Sequence, residues 1–352
     1  MRIVGVTYGV EGGSPFCQSF KETVRGKSGG APLGLSASDE AMIPKQLIID
    51  CDPGVDDAVA LFLAFACRDA LDIRAITTVA GNVAADLTAR NARLIRQIAA
   101  REDVPIYAGC RAPMVRTPVE AGHFHGASGL GALTITEPVA PLADGHAVDF
   151  IVQTLMAAEP GVIDLAITGP CTNVAMAMVR EPAIVTRLGD VVIMGGARRE
   201  GGNITASAEY NIHADPHAAH VVVSSGARVV MLGLDVTHQI RATPDRIATI
   251  AAIDTPPARA VANLLTFSSD VERDLASGGG APLHDPATIA WLLAPDLFRA
   301  RPCVIEVETS SPLTLGHTAV EFRGAAASST LWVTDADADG VFALLTARLA
   351  AL

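Results

Sequence analysis

Between residue 47 and about residue 235 the chain alternates short apolar, β-rich runs with longer segments of helical periodicity. Strands are expected near 47–50, 73–79, 162–167, 190–194 and 228–233, and helices near 55–67, 84–100, 146–158, 171–180 and 216–225. Such alternation is buried by right-handed βαβ crossovers around a mostly parallel sheet. The runs LIID, LAIT and VVIM are apolar almost throughout, as strands covered on both faces require. The expected fold class is α/β: an open, mostly parallel, Rossmann-like sheet flanked by helices.

Residues 244–294 read as a helical insertion, and 302–334 hold three strand-like runs (CVIEVE, TAVEF, TLWVT) before a last helix near 337–350. No linker composition separates these parts, so 44–352 reads as a single domain. Residues 1–43 differ: Gly, Ser, Pro and isolated charges dominate, as in GKSGGAPLGLSASDE, and a poorly ordered extension is expected there.

Half of the 352 residues are hydrophobic, enough for a large core. The net charge of -12, the absence of any Lys/Arg block and the 4% aromatic content argue against a nucleic-acid partner. Six cysteines lie scattered without a C-x-x-C pair or zinc-finger spacing. No apolar run reaches the roughly 18 residues of a bilayer span, so no membrane partner is expected. The N-terminus lacks a lysine-led signal pattern, and the expected compartment is the cytoplasm.

The chemistry concentrates in LIIDCDPGVDDAVAL, where a buried strand runs into Asp50, Asp52, Asp56 and Asp57 and then into an apolar helix. Helix capping accounts for one or two of these carboxylates. Four at one strand end repel one another unless a hard divalent cation is present. In open α/β sheets ligands bind outside the carboxyl ends of the strands, and polar residues gather at the other expected ends: TVAGN with Asn82, Thr168-Gly169-Pro170, and Met194-Gly195-Gly196. Two further clusters are GGNITASAEYN, with Asn203, Glu209 and Asn211, and PLHDP, with His284 and Asp285. Asp285-Pro286 and Asp215-Pro216 are equally good helix starts. His213 and His217 have metal-pair spacing, but Pro216 breaks the helix that spacing needs. His123 and His125 precede a glycine-rich loop.

Taken in order, DCDPGVDDAVAL, AITTVAGN, HGASGLG, AITGPCTNVA, VVIMGG, GGNITASAEYNIHADPHAA and PLHDP resemble the nucleoside hydrolase family, the inosine-uridine preferring type of N-ribohydrolase. The resemblance covers residues 46–350 and implies a nucleoside hydrolase catalytic domain. It implies a Ca²⁺ ion held by Asp52, Asp57, Asp285 and the Thr168 carbonyl, with Asp52 also the general base and Asp50 a support behind it. It implies ribose contacts from Asp56, Asn82, Met194, Asn203, Glu209 and Asn211, and protonation of the leaving base by His284, with His125 on the same side. His284 resembles the group acting on purine and pyrimidine nucleosides or on pyrimidines alone. A homotetramer or homodimer is the implied assembly. One departure is the segment before PLHDP, LLTFSSDVERDLASGGGA, where relatives commonly place tyrosines against the base and this chain has only Phe267.

Two other readings compete. A DxD pair after an apolar strand also suits a haloacid-dehalogenase-like Mg²⁺ phosphohydrolase with Asp50 as nucleophile. That reading leaves Asp56 and Asp57 idle and wants a downstream lysine, whereas the only lysines are Lys21, Lys27 and Lys45. The other is a nucleoside-binding protein without turnover.

Overall fold

Strand β1 (Lys45–Cys51) lies in the middle of the sheet: Leu47, Ile49 and Cys51 enter one core and Ile48 the other, all fully buried. Burial on both faces is why the run carries no polar alternation. The computed structural model describes residues 43–275 and 279–352; the expected extension, apart from Ile43, lies outside the described residues.

The first half continues with α1 (Val55–Phe65), β2 (Leu71–Thr78), α2 (Ala85–Ile98), β3 (Ile106–Ala108) and the single turn α3 (Gly122–His125). Next come α4 (Ala147–Ala157), β4 (Ile163–Ile167), α5 (Thr172–Arg180), β5 (Leu188–Met194), α6 (Tyr210–Ala214), α7 (Pro216–Val223), β6 (Arg228–Leu232) and α8 (Leu234–Thr237). The remainder is β7 (Arg241–Ala242), α9 (Pro244–Ala251), α10 (Pro256–Leu275), β8 (Ala281–Pro282), α11 (Pro286–Leu293), β9 (Phe298–Pro302), β10 (Val304–Val307), β11 (Thr318–Glu321), β12 (Leu331–Ala336) and α12 (Ala338–Ala350).

Eight strands form the main sheet in the order β3-β2-β1-β4-β5-β6-β12-β9, and every neighbouring pair is parallel except β12–β9. The order reverses between β1 and β4, where Asp50 pairs with Thr77 on one side and Ile167 on the other. That reversal opens the crevice in which doubly wound sheets bind ligands.

Side chains from α1, α2, α10, α11 and α12 cover one face of the sheet, and α4, α5 and α7 cover the other. The expected helical insertion thus belongs to the core: Ala258, Val261, Leu264 and Leu265 of α10 are buried in the same cluster as α1. Two strands of the main sheet escaped the sequence reading, as did the two-residue strands β7 and β8. β3 is only three residues long, and β9 (FRARP) alternates arginines with small residues and ends in proline, the composition of a protected sheet edge. β10 and β11 pair only with each other, and the exposed–buried alternation of VIEV in β10 matches a hairpin with one wet face.

Candidate active site

Asp52 directly follows β1 and is fully buried. Its Oδ2 accepts the Asn82 backbone N–H at 2.7 Å, and its Oδ1 has no hydrogen-bond partner among the described residues. Two glycines make room for this carboxylate: a Cβ on Gly81 would lie 2.0 Å from Oδ2, and one on Gly169 would lie 2.6 Å from Oδ1. Gly81→Ala should therefore push the carboxylate from its place and destabilise the fold by about 1–3 kcal/mol, the usual cost of overpacking. Thermal unfolding beside an activity assay checks this; a variant equal to the wild type in both contradicts it.

Asp57 is the third residue of α1 and accepts the Gly54 N–H at 2.9 Å, half of a capping box. It also accepts the Asn82 Nδ2–H at 3.0 Å and the Thr168 hydroxyl at 2.8 Å. One carboxylate oxygen each from Asp56, Asp57 and Asp285 lies within 4.8 Å of the others. Asp285 stands at the cap position of α11 and yet makes no side-chain cap bond, so its carboxylate is left for the cluster. Asp215, by contrast, is the expected cap and accepts the Ala218 N–H at 3.1 Å. Asp52 is not part of the trio; Asn82 joins them, its amide bonding both Asp57 Oδ2 and the Asp52 carbonyl.

Burial, then the neighbouring Asp56 charge, pushes the Asp57 carboxyl up to about 7. Asp52 and Asp285 are pushed well above the usual carboxylate range, again by burial first and then by Asp57 and Asp56 respectively. A divalent cation removes this penalty by favouring the charged forms. The donor set consists of carboxylate oxygens, with the Thr168 hydroxyl on Asp57 and no thiol or imidazole, which fits a hard, oxygen-seeking ion.

Behind the cluster, Asp50 accepts the Thr77 hydroxyl at 2.5 Å and the Asn173 Nδ2–H at 2.8 Å. Asn173 also bonds the Thr78 carbonyl and receives the Cys110 N–H, so this buried group ties the ends of β1 and β2 to the start of α5. The role of Asn173 carried no sequence signal, because nothing local pairs it with a residue 123 positions away.

Of the remaining expected residues, Met194, Glu209 and Asn211 lie at the same ends, and Asn203 is not brought to them by any hydrogen bond among the described residues. Asn211 donates to the Thr168 carbonyl at 2.7 Å and the Met194 carbonyl at 3.2 Å, bracing β4 against β5. Glu209 caps α6, taking N–H groups from Asn211, Ile212 and Gly196. Asn203 is exposed, its Oδ1 accepting the Tyr210 N–H at 2.9 Å. His125 is half-buried, and its Nδ1 accepts the Val55 N–H at 3.1 Å, so its ring hydrogen sits on Nε2. The glycine loop after it packs on Phe267: a Cβ on Gly131 would lie 2.6 Å from that ring.

His284 shares a 2.8 Å hydrogen bond between its Nδ1 and the buried Thr237 hydroxyl. Donation by the hydroxyl leaves no buried hydrogen unpartnered and assigns the ring hydrogen to Nε2. Burial lowers the ring's pKa to about 4, against the opposing pull of Asp56, so the free ring is neutral at pH 7. Neither Thr237 nor His238, whose ring centroid lies 5.8 Å from that of His284, was legible from sequence, since no motif marks them.

A sequence profile described as inosine-uridine preferring nucleoside hydrolase matches residues 47–343. The chain belongs to that family. As a nucleoside hydrolase it is an enzyme that cleaves the N-glycosidic bond of ribonucleosides, and the family depends on a metal, for which the aspartate cluster is the candidate seat. The hydrolase is 41% identical to the inosine-uridine preferring nucleoside hydrolase of Crithidia fasciculata, over 80% of this chain and 89% of that one. It is 42% identical to a pyrimidine-specific ribonucleoside hydrolase, RihA, of Photobacterium profundum, over 79% of this chain and 89% of the relative. Among solved structures, a purine-preferring ribonucleoside hydrolase from Gardnerella vaginalis superposes with a TM-score of 0.82 at 30% identity, over 87% of this chain and 98% of that one.

Proposed function

We propose that the hydrolase converts ribonucleosides to ribose and free base in a Ca²⁺-dependent reaction, with Asp52 as general base and His284 as the group that receives the leaving base. The observation that carries this reading is the buried, unpartnered Oδ1 of Asp52 beside the Asp56–Asp57–Asp285 cluster. Cleavage of an N-glycosidic bond passes through an oxocarbenium-like state and needs a deprotonated water on one side of the sugar and help for the departing base on the other. A bound divalent cation supplies positive charge that makes a nearby water easier to deprotonate. Asp52, Asp57, Asp285 and the Thr168 carbonyl would hold it.

In this reading Asp52 Oδ1 accepts the water proton, its other oxygen being occupied by Asn82. Asp56, Asn82, Met194, Asn203, Glu209 and Asn211 hold the ribose. Asn82, Glu209 and Asn211 already brace the strand ends through the bonds described above, so binding the sugar and shaping the site are one task. His284 would act as the imidazolium once the nucleoside is bound, giving its Nε2 proton to the departing base and returning to the neutral ring, and His125 lines the same side.

The names of relatives span inosine-uridine, pyrimidine and purine substrates, so family membership alone does not set the base. The presence of His284 supports action on pyrimidine nucleosides, with or without purines. The phosphohydrolase alternative lacks its lysine downstream of Asp52. Release of reducing sugar from a panel of nucleosides, with and without a chelator, tests the proposal; phosphate release from p-nitrophenyl phosphate with no ribose from any nucleoside refutes it.

His284→Ala is expected to slow purine nucleosides by roughly 10²–10⁴-fold, the range a positioned general acid contributes. Hydrolysis of p-nitrophenyl riboside, whose leaving group departs without a proton, should change little. Equal losses on both substrates contradict the role of His284.

A further inference from the structure

The segment after β5 is fastened to α8 at successive points. Leu234 donates its N–H to the Gly196 carbonyl at 2.9 Å. The Asp235 carboxylate then accepts the backbone N–H groups of Arg198 and Arg199 at 2.8 and 2.9 Å. Next, the Nδ1 of His238, the residue that ends α8, meets Glu200 Oε2 at 3.2 Å. The same stretch holds the leaving-group side: Thr237 bonds His284 Nδ1, and the His238 ring lies tilted at 60° to the His284 ring, centroids 5.8 Å apart. Beyond it, Leu283 donates to the Ile240 carbonyl at 2.7 Å, and β7 pairs with β8, so residues 237–242 run alongside 281–284.

His238 is held through its backbone as well, its N–H on the Leu234 carbonyl and its own carbonyl accepting from Arg241 Nε. Only its ring can rotate, and Glu200 is the group that stops it. The pair is partly exposed, with 27% of the His238 side chain and 44% of the Glu200 side chain accessible. A carboxylate–imidazole contact this exposed contributes about 0–1 kcal/mol to stability, too little to matter for the fold. Its geometric consequence is larger, because the face of His284 turned to His238 has no other aromatic neighbour among the described residues.

We propose that Glu200 and His238 form a positioning pair that fixes the His284 ring for delivery of its hydrogen to the leaving base. Glu200 immediately precedes Gly201, Gly202 and Asn203, the loop that reaches the sugar, so the pair also links that loop to the leaving-group side. The inference rests on the assignment of His284 made above.

Glu200→Gln, His238→Gln and the double variant in the full-length, Ca²⁺-loaded protein test it, with inosine or uridine and with p-nitrophenyl riboside. Each single variant should lower kcat on the nucleosides by roughly tenfold, a part of the 10²–10⁴ that a general acid contributes, with KM within about twofold. Hydrolysis of p-nitrophenyl riboside should stay within about twofold. The double variant should lose no more than the worse single, because the two residues act as one unit. Unchanged nucleoside turnover, or equal losses on both substrates, overturns the proposal. Glu200 is exposed, so its variant folds and decides the matter even if His238→Gln proves unstable. His284→Ala measured alongside separates the two claims: if it discriminates between the substrates and Glu200→Gln does not, only the pair is refuted; if it does not discriminate, the assignment of His284 fails and the pair with it.

Discussion

Asp52→Asn is expected to lower kcat/KM for ribonucleosides by roughly 10²–10⁴-fold, the contribution of a positioned general base. The substitution keeps side-chain volume and an acceptor for the Asn82 N–H, and it removes only the basicity of the buried Oδ1. Folding should therefore survive, as circular dichroism can verify. Retention of activity within about threefold would assign the water proton to another group, and Asp56 would be the next to test because its carboxylate belongs to the cluster.

The second large effect is on stability, and it depends jointly on pH and metal. In the metal-free protein the Asp50 and Asp57 carboxyls titrate at about 7, up from a usual 3.8, chiefly because both are buried. A raised folded pKa means that the folded state binds more protons than the unfolded chain between these values. The associated stability is fully present below 3.8 and is lost as pH rises through about 7. Melting of the chelated protein should accordingly fall between pH values of about 5 and 8. Adding Ca²⁺ should oppose the fall, because a cation favours the charged carboxylates, and at a hundredfold excess over Kd it contributes about 2.7 kcal/mol. A chelated protein whose melting temperature rises over that range, or one that Ca²⁺ does not stabilise, would contradict the reading of the cluster as a cation seat.

Much of the fold was legible because its signals are local. The apolar runs at β1, β4 and β5 and the helices between them were placed within a few residues, since burial on both faces leaves no polar alternation to confuse the pattern. β9 was missed for the opposite reason: an edge strand with Arg299, Arg301 and Pro302 is built to discourage pairing, and its sequence resembles a loop. At the site, the type of residue was legible and its partner was not. PLHDP announced Asp285 as either a cap or a ligand; in the structure it makes no side-chain cap bond and lies beside Asp56 and Asp57.

The sequence by itself determined the parallel α/β class, the family and the concentration of carboxylates at the end of the first strand. The class and the carboxylate cluster are written in the periodicity and charge of contiguous residues, and the family in the order of seven short motifs. The tertiary structure alone decided which Asp52 oxygen stays free, that Asn82, Asn173 and Asn211 brace the strand ends, and that Thr237, His238 and Glu200 stand behind His284. These are hydrogen bonds and ring contacts between residues tens to more than a hundred positions apart, and a crossover topology brings them together with no local trace.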